Sequence, residues 1–257
     1  MARKITPSLL TLITLFSLFS FKNGYSQNLP YTAPTVTLNA NFNGNLAALD
    51  FYGTFYSDNT GGNYGAIWGR GGSLNVKIGL GQQKYYRFVI AAEYNKMIND
   101  NFNDIPFFVI NPKGAATNYD IITGGLGIEY VTKPRCPERF FIGGGLTGNR
   151  ISAPSGNALG DFDPAFRFGA MIMGGYEYAF GQKGQFGINL GMRFNYINLF
   201  NSSFDSTAGS FNINDGYGTL GFKRKIAMLS LNFGFIFTLG QKPVFMRQKP
   251  PTINPTG

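Results

Sequence analysis

From Ile226–Leu239 the chain alternates with period two. Ala227, Leu229, Leu231, Phe233, Phe235, Phe237 and Leu239 share one face, and Met228, Ser230, Asn232, Gly234 and Thr238 fall on the other. Successive side chains of a β-strand point to opposite faces, so the segment reads as one strand with an oily side and a small or polar side. Residues 186–196 repeat the pattern, with Phe186, Ile188, Leu190, Met192, Phe194 and Tyr196 opposite Gly187, Asn189, Gly191, Arg193 and Asn195. The same parity runs through 166–180, 140–149, 119–131, 86–97 and 73–80, and less cleanly through 46–56. Eight strands are predicted. A further alternation at 36–42 precedes Asn43-Gly44, a hairpin signal. With another strand near 211–217 it leaves a ten-stranded arrangement open.

The connections alternate between short and long. Residues 81–84, 132–138 and 181–185 are turns, whereas 57–72, 98–118, 150–165 and 197–225 are long and rich in Gly, Asn, Asp and Ser. An antiparallel meander with tight turns at one end and loops at the other has this asymmetry, as transmembrane β-barrels do. The expected fold is therefore all-β, an eight-stranded antiparallel up-and-down transmembrane barrel over residues 46–239.

Charge placement bears on the same expectation. The strand residues Asp50, Lys77, Arg87, Glu93, Glu129, Arg167, Glu177 and Arg193 all share the parity opposite the oily face. Lys96 is the exception, near a loop end where its amine can snorkel to lipid headgroups. On parity alone a soluble lipocalin-like barrel or sandwich is also possible, with the charged face wet and the aromatic face as core. The aromatics favour a membrane. Tyr86, Phe88, Tyr130, Phe140, Tyr176, Tyr178, Phe186, Phe235 and Phe237 gather at the turn ends, and Tyr94, Phe166, Phe168, Phe194 and Tyr196 at the loop ends. Two aromatic girdles with Leu, Ile, Ala and Gly between them match the two interfaces of a bilayer.

Composition narrows the chemistry. Among 257 residues there is no His and one Cys, which removes His-based acid–base catalysis, Ser-His-Asp triads and internal disulfides. Only 14% of residues are charged, and Gly occurs 35 times. Arg3 and Lys4 precede an apolar run from Leu9 to Phe21, and Gly24-Tyr25-Ser26 offers a cleavage site, so residues 1–26 read as a signal peptide. Residues 27–45 then read as an N-terminal periplasmic segment. Residues 240–257, with Pro243, Pro250, Pro251 and Pro255, read as a Pro-rich periplasmic tail.

The signal peptide ending Tyr-Ser-Gln, the Gly- and aromatic-rich strands, and the closing strand from Asn232 to Leu239 resemble the small outer-membrane β-barrel proteins of Gram-negative bacteria, the opacity-protein and OmpA-barrel-like group. The resemblance implies residence in the outer membrane, contact with its lipid, extracellular loops and periplasmic termini. It also implies that residues Asn232 to Leu239 hand the chain to the barrel-insertion machinery. The tail beyond Leu239 departs from the group, whose barrels usually end on a terminal aromatic.

Eight strands enclose a space that side chains roughly fill. Four acids and four bases in that space suggest a salt-bridge network, with Arg87 and Glu129 as the best pair. The alternative use for these charges is an ion or proton path. Loop acids including Asp161, Asp163 and Asp215 read as solvated turn residues, because their spacing fits no calcium loop. An apolar run including Phe107 and Phe108, together with Tyr64, Ile67 and Trp68, offers either an exposed contact rim or packed strand extensions. The expected role is non-enzymatic, without cofactor, metal or nucleic acid: a structural or surface-interaction barrel. A small porin or transport accessory and a secreted soluble β-protein are the alternatives.

Overall fold

The computed structural model describes residues 33–52, 64–99, 117–153, 162–180, 185–203, 215–216 and 223–239. The expected signal peptide and Pro-rich tail, and Phe107 and Phe108, lie outside the described residues. The strands in chain order are β1 (Val36–Leu49), β2 (Trp68–Leu80), β3 (Tyr86–Asn99), β4 (Thr117–Val131), β5 (Glu138–Ala153), β6 (Phe162–Phe180), β7 (Phe186–Phe200) and β8 (Ile226–Leu239). Each pairs antiparallel with the next, and β8 pairs back with β1 from Val36↔Leu239 to Leu49↔Ile226. The sheet is thus a closed barrel with no unpaired edge. Among the described residues eight strands complete it, so the ten-stranded arrangement does not arise.

The first strand differs from expectation. It begins at Val36 rather than residue 46, so most of the segment expected to precede the barrel is part of its wall. Asn43 and Gly44 carry the hairpin signal, yet they sit in mid-strand, opposite Gly71 and Arg70 of β2 and Asn232 and Leu231 of β8. Two flanking ladders supply more backbone hydrogen bonds than an isolated turn would, and they override the local preference. The inward residues of β1 are Thr37, Asn39, Asn41, Asn43 and Asn45, all buried. Most other strands are longer than predicted at their loop ends. β2 gains Trp68, β3 runs to Asn99, β5 to Ala153 and β7 to Phe200.

The tight end is made by short turns. Gly81 and Lys84 adopt φ of 67° and 58° between β2 and β3, and Lys133 adopts 50° after β4. The left-handed conformation is unfavourable for a lysine. At Lys84 the side chain compensates by donating to the Gly79 carbonyl at 3.0 Å.

The outer surface is a band of apolar side chains. Phe42 is 71% exposed and Leu74 and Leu146 65% each, with Ile142, Ile172, Leu190 and Leu231 also well exposed. No soluble barrel leaves such a belt to water, and it identifies the lipid-facing wall of an outer-membrane-type barrel. Ring pairs border it. At the turn end Tyr86–Tyr130, Phe140–Tyr176 and Phe186–Phe237 have centroids 5.6, 5.0 and 5.1 Å apart. At the loop end Phe166 and Phe168 meet edge to face at 5.0 Å. β1 has 14 residues. At ~3.3 Å per residue and ~40° tilt, such a strand covers ~35 Å along the barrel axis, more than a ~25 Å apolar band needs.

Candidate functional site

The candidate site is the lumen, where five consecutive strands bring charges together near the turn end. Arg87 of β3 lies opposite Glu129 of β4, and Arg139 of β5 lies opposite Glu177 of β6. Lys77 of β2 joins them. Its Nζ is 2.8 Å from Glu177 Oε1 and 3.1 Å from Glu129 Oε2. Arg87 donates to both Glu177 oxygens, Nη1 to Oε2 at 2.8 Å and Nη2 to Oε1 at 3.1 Å, and its Nε pairs with Glu129. Arg139 Nη2 lies 3.5 Å from Glu177 Oε2. All five side chains are buried. In this low-dielectric space each carboxylate faces two or three cations, Glu129 meeting Lys77 and Arg87 and Glu177 meeting all three bases.

Phe141 and two glycines shape the cluster. Lys77 Nζ sits 3.9 Å from the centre of the Phe141 ring, a cation–π contact that covers the ammonium on its open side. A Cβ on Gly175 would come within 2.8 Å of that ring, and one on Gly143 within 2.6 Å of Glu129 Cβ. Glycine is required at both places so that the wall can approach the ring and the carboxylate.

A second group lies in mid-lumen. Arg193 of β7 donates to Glu93 of β3 at 2.6 Å and to Asn75 at 3.0 Å. The other Glu93 oxygen accepts from Asn43 at 3.0 Å and Asn95 at 2.6 Å. Asn189 reaches across to Asn41 at 2.8 Å.

The loop end of the lumen is apolar. Met97, Tyr119, Ile121, Ile151, Ile197 and Met228 point inward from five strands and pack with Phe51 and Tyr64 of the β1–β2 connection. Phe51 and Tyr119 rings lie 5.4 Å apart, and the Tyr119 hydroxyl donates to the Tyr64 carbonyl at 2.6 Å. Burial, and secondarily the nearby Asp215 carboxylate, pushes the Tyr64 phenol well above the usual tyrosine range. Beside this cap Arg167 makes a two-pronged contact with Asp215, both at 2.8 Å. Asp215 also accepts from Asn198 at 2.7 Å and from the Ser203 amide at 2.9 Å.

Of the residues expected in one network, Lys77, Arg87, Glu129 and Glu177 form the lower cluster. Glu93 and Arg193 form the middle pair, and Arg167 belongs to the mouth. Asp50 is a correction. Because β1 ends at Leu49, Asp50 falls in the following turn and accepts from the Lys225 amide at 2.7 Å, outside the lumen network. The expected rim also changes. Trp68 opens β2, and Tyr64 is 2% exposed, buried in the cap rather than displayed.

Two residues escaped the sequence reading. Arg139 has inward parity once β5 starts at Glu138. Asp215, expected as a solvated loop acid, is fully buried against Arg167, and nothing in its local sequence marks that. Among the described residues no group of three or more His, Cys, Asp or Glu could hold a metal ion.

No protein-family model matches the sequence, and none of the curated proteins does. Among solved structures, the chain is similar to Neisserial surface protein A, at 16% identity over 80% of this chain and 97% of that one, with a TM-score of 0.48. It is also similar to the outer-membrane protein OprG of Pseudomonas aeruginosa, at 10% identity over 82% and 98%, with a TM-score of 0.46. The attachment invasion locus protein Ail of Yersinia pestis matches at 8% identity over 79% and 97%, with a TM-score of 0.41.

Proposed function

We propose that the chain is a non-enzymatic, non-conducting barrel of the Gram-negative outer membrane that serves a structural or surface-interaction role through the loops at one end. The observation that carries this is the double closure of the lumen. Lys77, Arg87, Arg139, Glu129 and Glu177 cross-link the turn end, and the Phe51–Tyr64–Tyr119 cap closes the loop end. Carboxylates buried against fixed cations in a closed lumen leave no open position for a substrate. What remains for function is the outer wall and the long connections. In this reading the turns face the periplasm, the loops face outward, and residues Asn232 to Leu239 engage the insertion machinery.

A second reading, a small conducting pore, draws on a polar stripe in which the Asn39 amide, Asn232 Oδ1 and Ser230 Oγ are buried with no hydrogen-bond partner among the described residues. Water along that stripe would hydrate one side of the lumen. Planar-bilayer recording separates the two. The closed lumen is expected to give no stable current steps above background, and reproducible steps from the purified protein would overturn it.

A further inference from the structure

We infer that the lipid-facing wall of β2–β5, at its loop end, is a docking site for the phosphates of a bis-phosphorylated glycolipid of the outer leaflet, the lipid A portion of lipopolysaccharide. The inference rests on the proposed orientation, with loops outward.

The site is built from charges that face the bilayer. Arg70 of β2 lies directly opposite Lys96 of β3, Lys96 opposite Asp120 of β4, and Asp120 opposite Ser152 of β5, with Arg150 opposite Ile122 one outward position below. All have the outward parity, and Arg70 and Arg150 are exposed. Neighbouring strands are ~4.8 Å apart, so the three cations spread over ~15 Å of one wall.

Three observations call for an external anion. Like charges directly opposite each other on adjacent strands repel, and Arg70 and Lys96 are such a pair. The one acid in the row, Asp120, is engaged by the Tyr94 hydroxyl at 2.9 Å. Among the described residues, no carboxylate comes within ion-pair distance of Arg70, Lys96 or Arg150, so the sector carries two uncompensated positive charges. Among the described residues, the loop ends of β6, β7 and β1 instead present Phe166, Phe168, Phe200 and Leu46 outward, and the loop end of β8 is preceded by the exposed Lys225 without a second cation opposite it on a neighbouring strand.

The position on the wall chooses the occupant. These side chains project sideways from strands bordered by the apolar belt, where a soluble acidic protein cannot approach but a lipid headgroup lies at the right height. Guanidinium groups match phosphate oxygens bidentately, and a spread of ~15 Å suits two phosphates held apart by a sugar pair better than the single phosphate of a glycerophospholipid.

The test titrates diphosphoryl lipid A, monophosphoryl lipid A and phosphatidylglycerol into the full chain purified in neutral detergent, read by native mass spectrometry. Diphosphoryl lipid A is expected to bind most tightly. Arg70→Gln with Lys96→Gln and Arg150→Gln should weaken it at least tenfold while the barrel stays heat-modifiable on gels. Arg70→Gln or Arg150→Gln alone should weaken it about threefold, which keeps the test open if the triple variant fails to insert. Lys133→Gln with Arg135→Gln, at the turn end, should change nothing. Unchanged binding in the loop-end variants, equal loss in the turn-end variant, or equally tight phosphatidylglycerol would overturn the site. Membrane fractionation is read separately. A chain found outside the outer membrane overturns the proposed location and this inference with it, whereas correct location with unaltered binding overturns the site alone.

Discussion

Glu177→Gln keeps the outline of the side chain and deletes its charge. In the folded barrel that charge is fully buried and faces Lys77 at 2.8 Å, Arg87 at 2.8 Å and Arg139 at 3.5 Å. Without it three buried cations share Glu129 alone. An uncompensated buried charge costs ~3–5 kcal/mol. Glu129 still pairs with Lys77 and Arg87, which places the expected loss at the lower end, ~3 kcal/mol. The lower cluster then carries one more unit of excess positive charge than the wild type. Arg139→Gln in the same chain removes that unit, so the double variant should be more stable than Glu177→Gln alone, by ~1 kcal/mol. Urea unfolding from lipid vesicles, followed by the fluorescence of Trp68, the single tryptophan, measures all three chains. A Glu177→Gln barrel within ~0.5 kcal/mol of the wild type, or a double variant that loses the sum of the two single changes, would refute the reasoning.

Other perturbations test other parts of the wall and mouth. Leu231→Arg puts a charge on the lipid face near mid-strand at ~2–4 kcal/mol, and should abolish the fast-migrating band on unboiled gels, whereas Leu231→Phe should keep it. Gly143→Ala drives a methyl into Glu129 and should lower urea stability by ~1–3 kcal/mol. Gly44→Ala meets nothing within 4 Å and should leave the midpoint in place. Asp215→Asn strips Arg167 of its carboxylate, so hydrogen exchange should speed up around residues 198–203 while the amides of β4 and β5 stay protected. Phe107→Ser with Phe108→Ser should leave insertion intact and, if that run contacts a partner, abolish any complex recovered by crosslinking from native membranes.

Sequence periodicity revealed most of the wall, because a barrel immersed in lipid must keep one parity oily along each strand. β8, whose outward row runs without interruption from Leu229 to Leu239, was legible to the residue. β1 was not, since its inward positions are Asn and Thr and its centre is Asn43-Gly44, a local turn signal outweighed only by ladders to strands far away in sequence. Parity also placed Lys77, Arg87, Glu129 and Glu177 on the inner surface, but not which cation meets which acid. That depends on reach across the lumen, as in the contact of Lys77 with Glu177, four strands on. Arg139 was lost to a strand boundary set two residues late. The cap was hidden for a different reason: at the loop end the inward side chains are Met97, Ile121 and Met228, where the rule of polar inside and apolar outside lapses above the membrane.

The partners in the lumen are far apart along the chain. Lys77 and Glu177 are 100 residues apart, as are Glu93 and Arg193. A hairpin of β2 and β3 entering the bilayer alone would bring Lys77, Arg87 and Glu93 without any of their charged partners, and β6 and β7 must arrive before every one of the three is paired. Insertion strand by strand into bare lipid is therefore uphill until late. Assembly becomes an all-or-none event, favouring a chain held in a hydrated, chaperoned condition until nearly every strand can enter together.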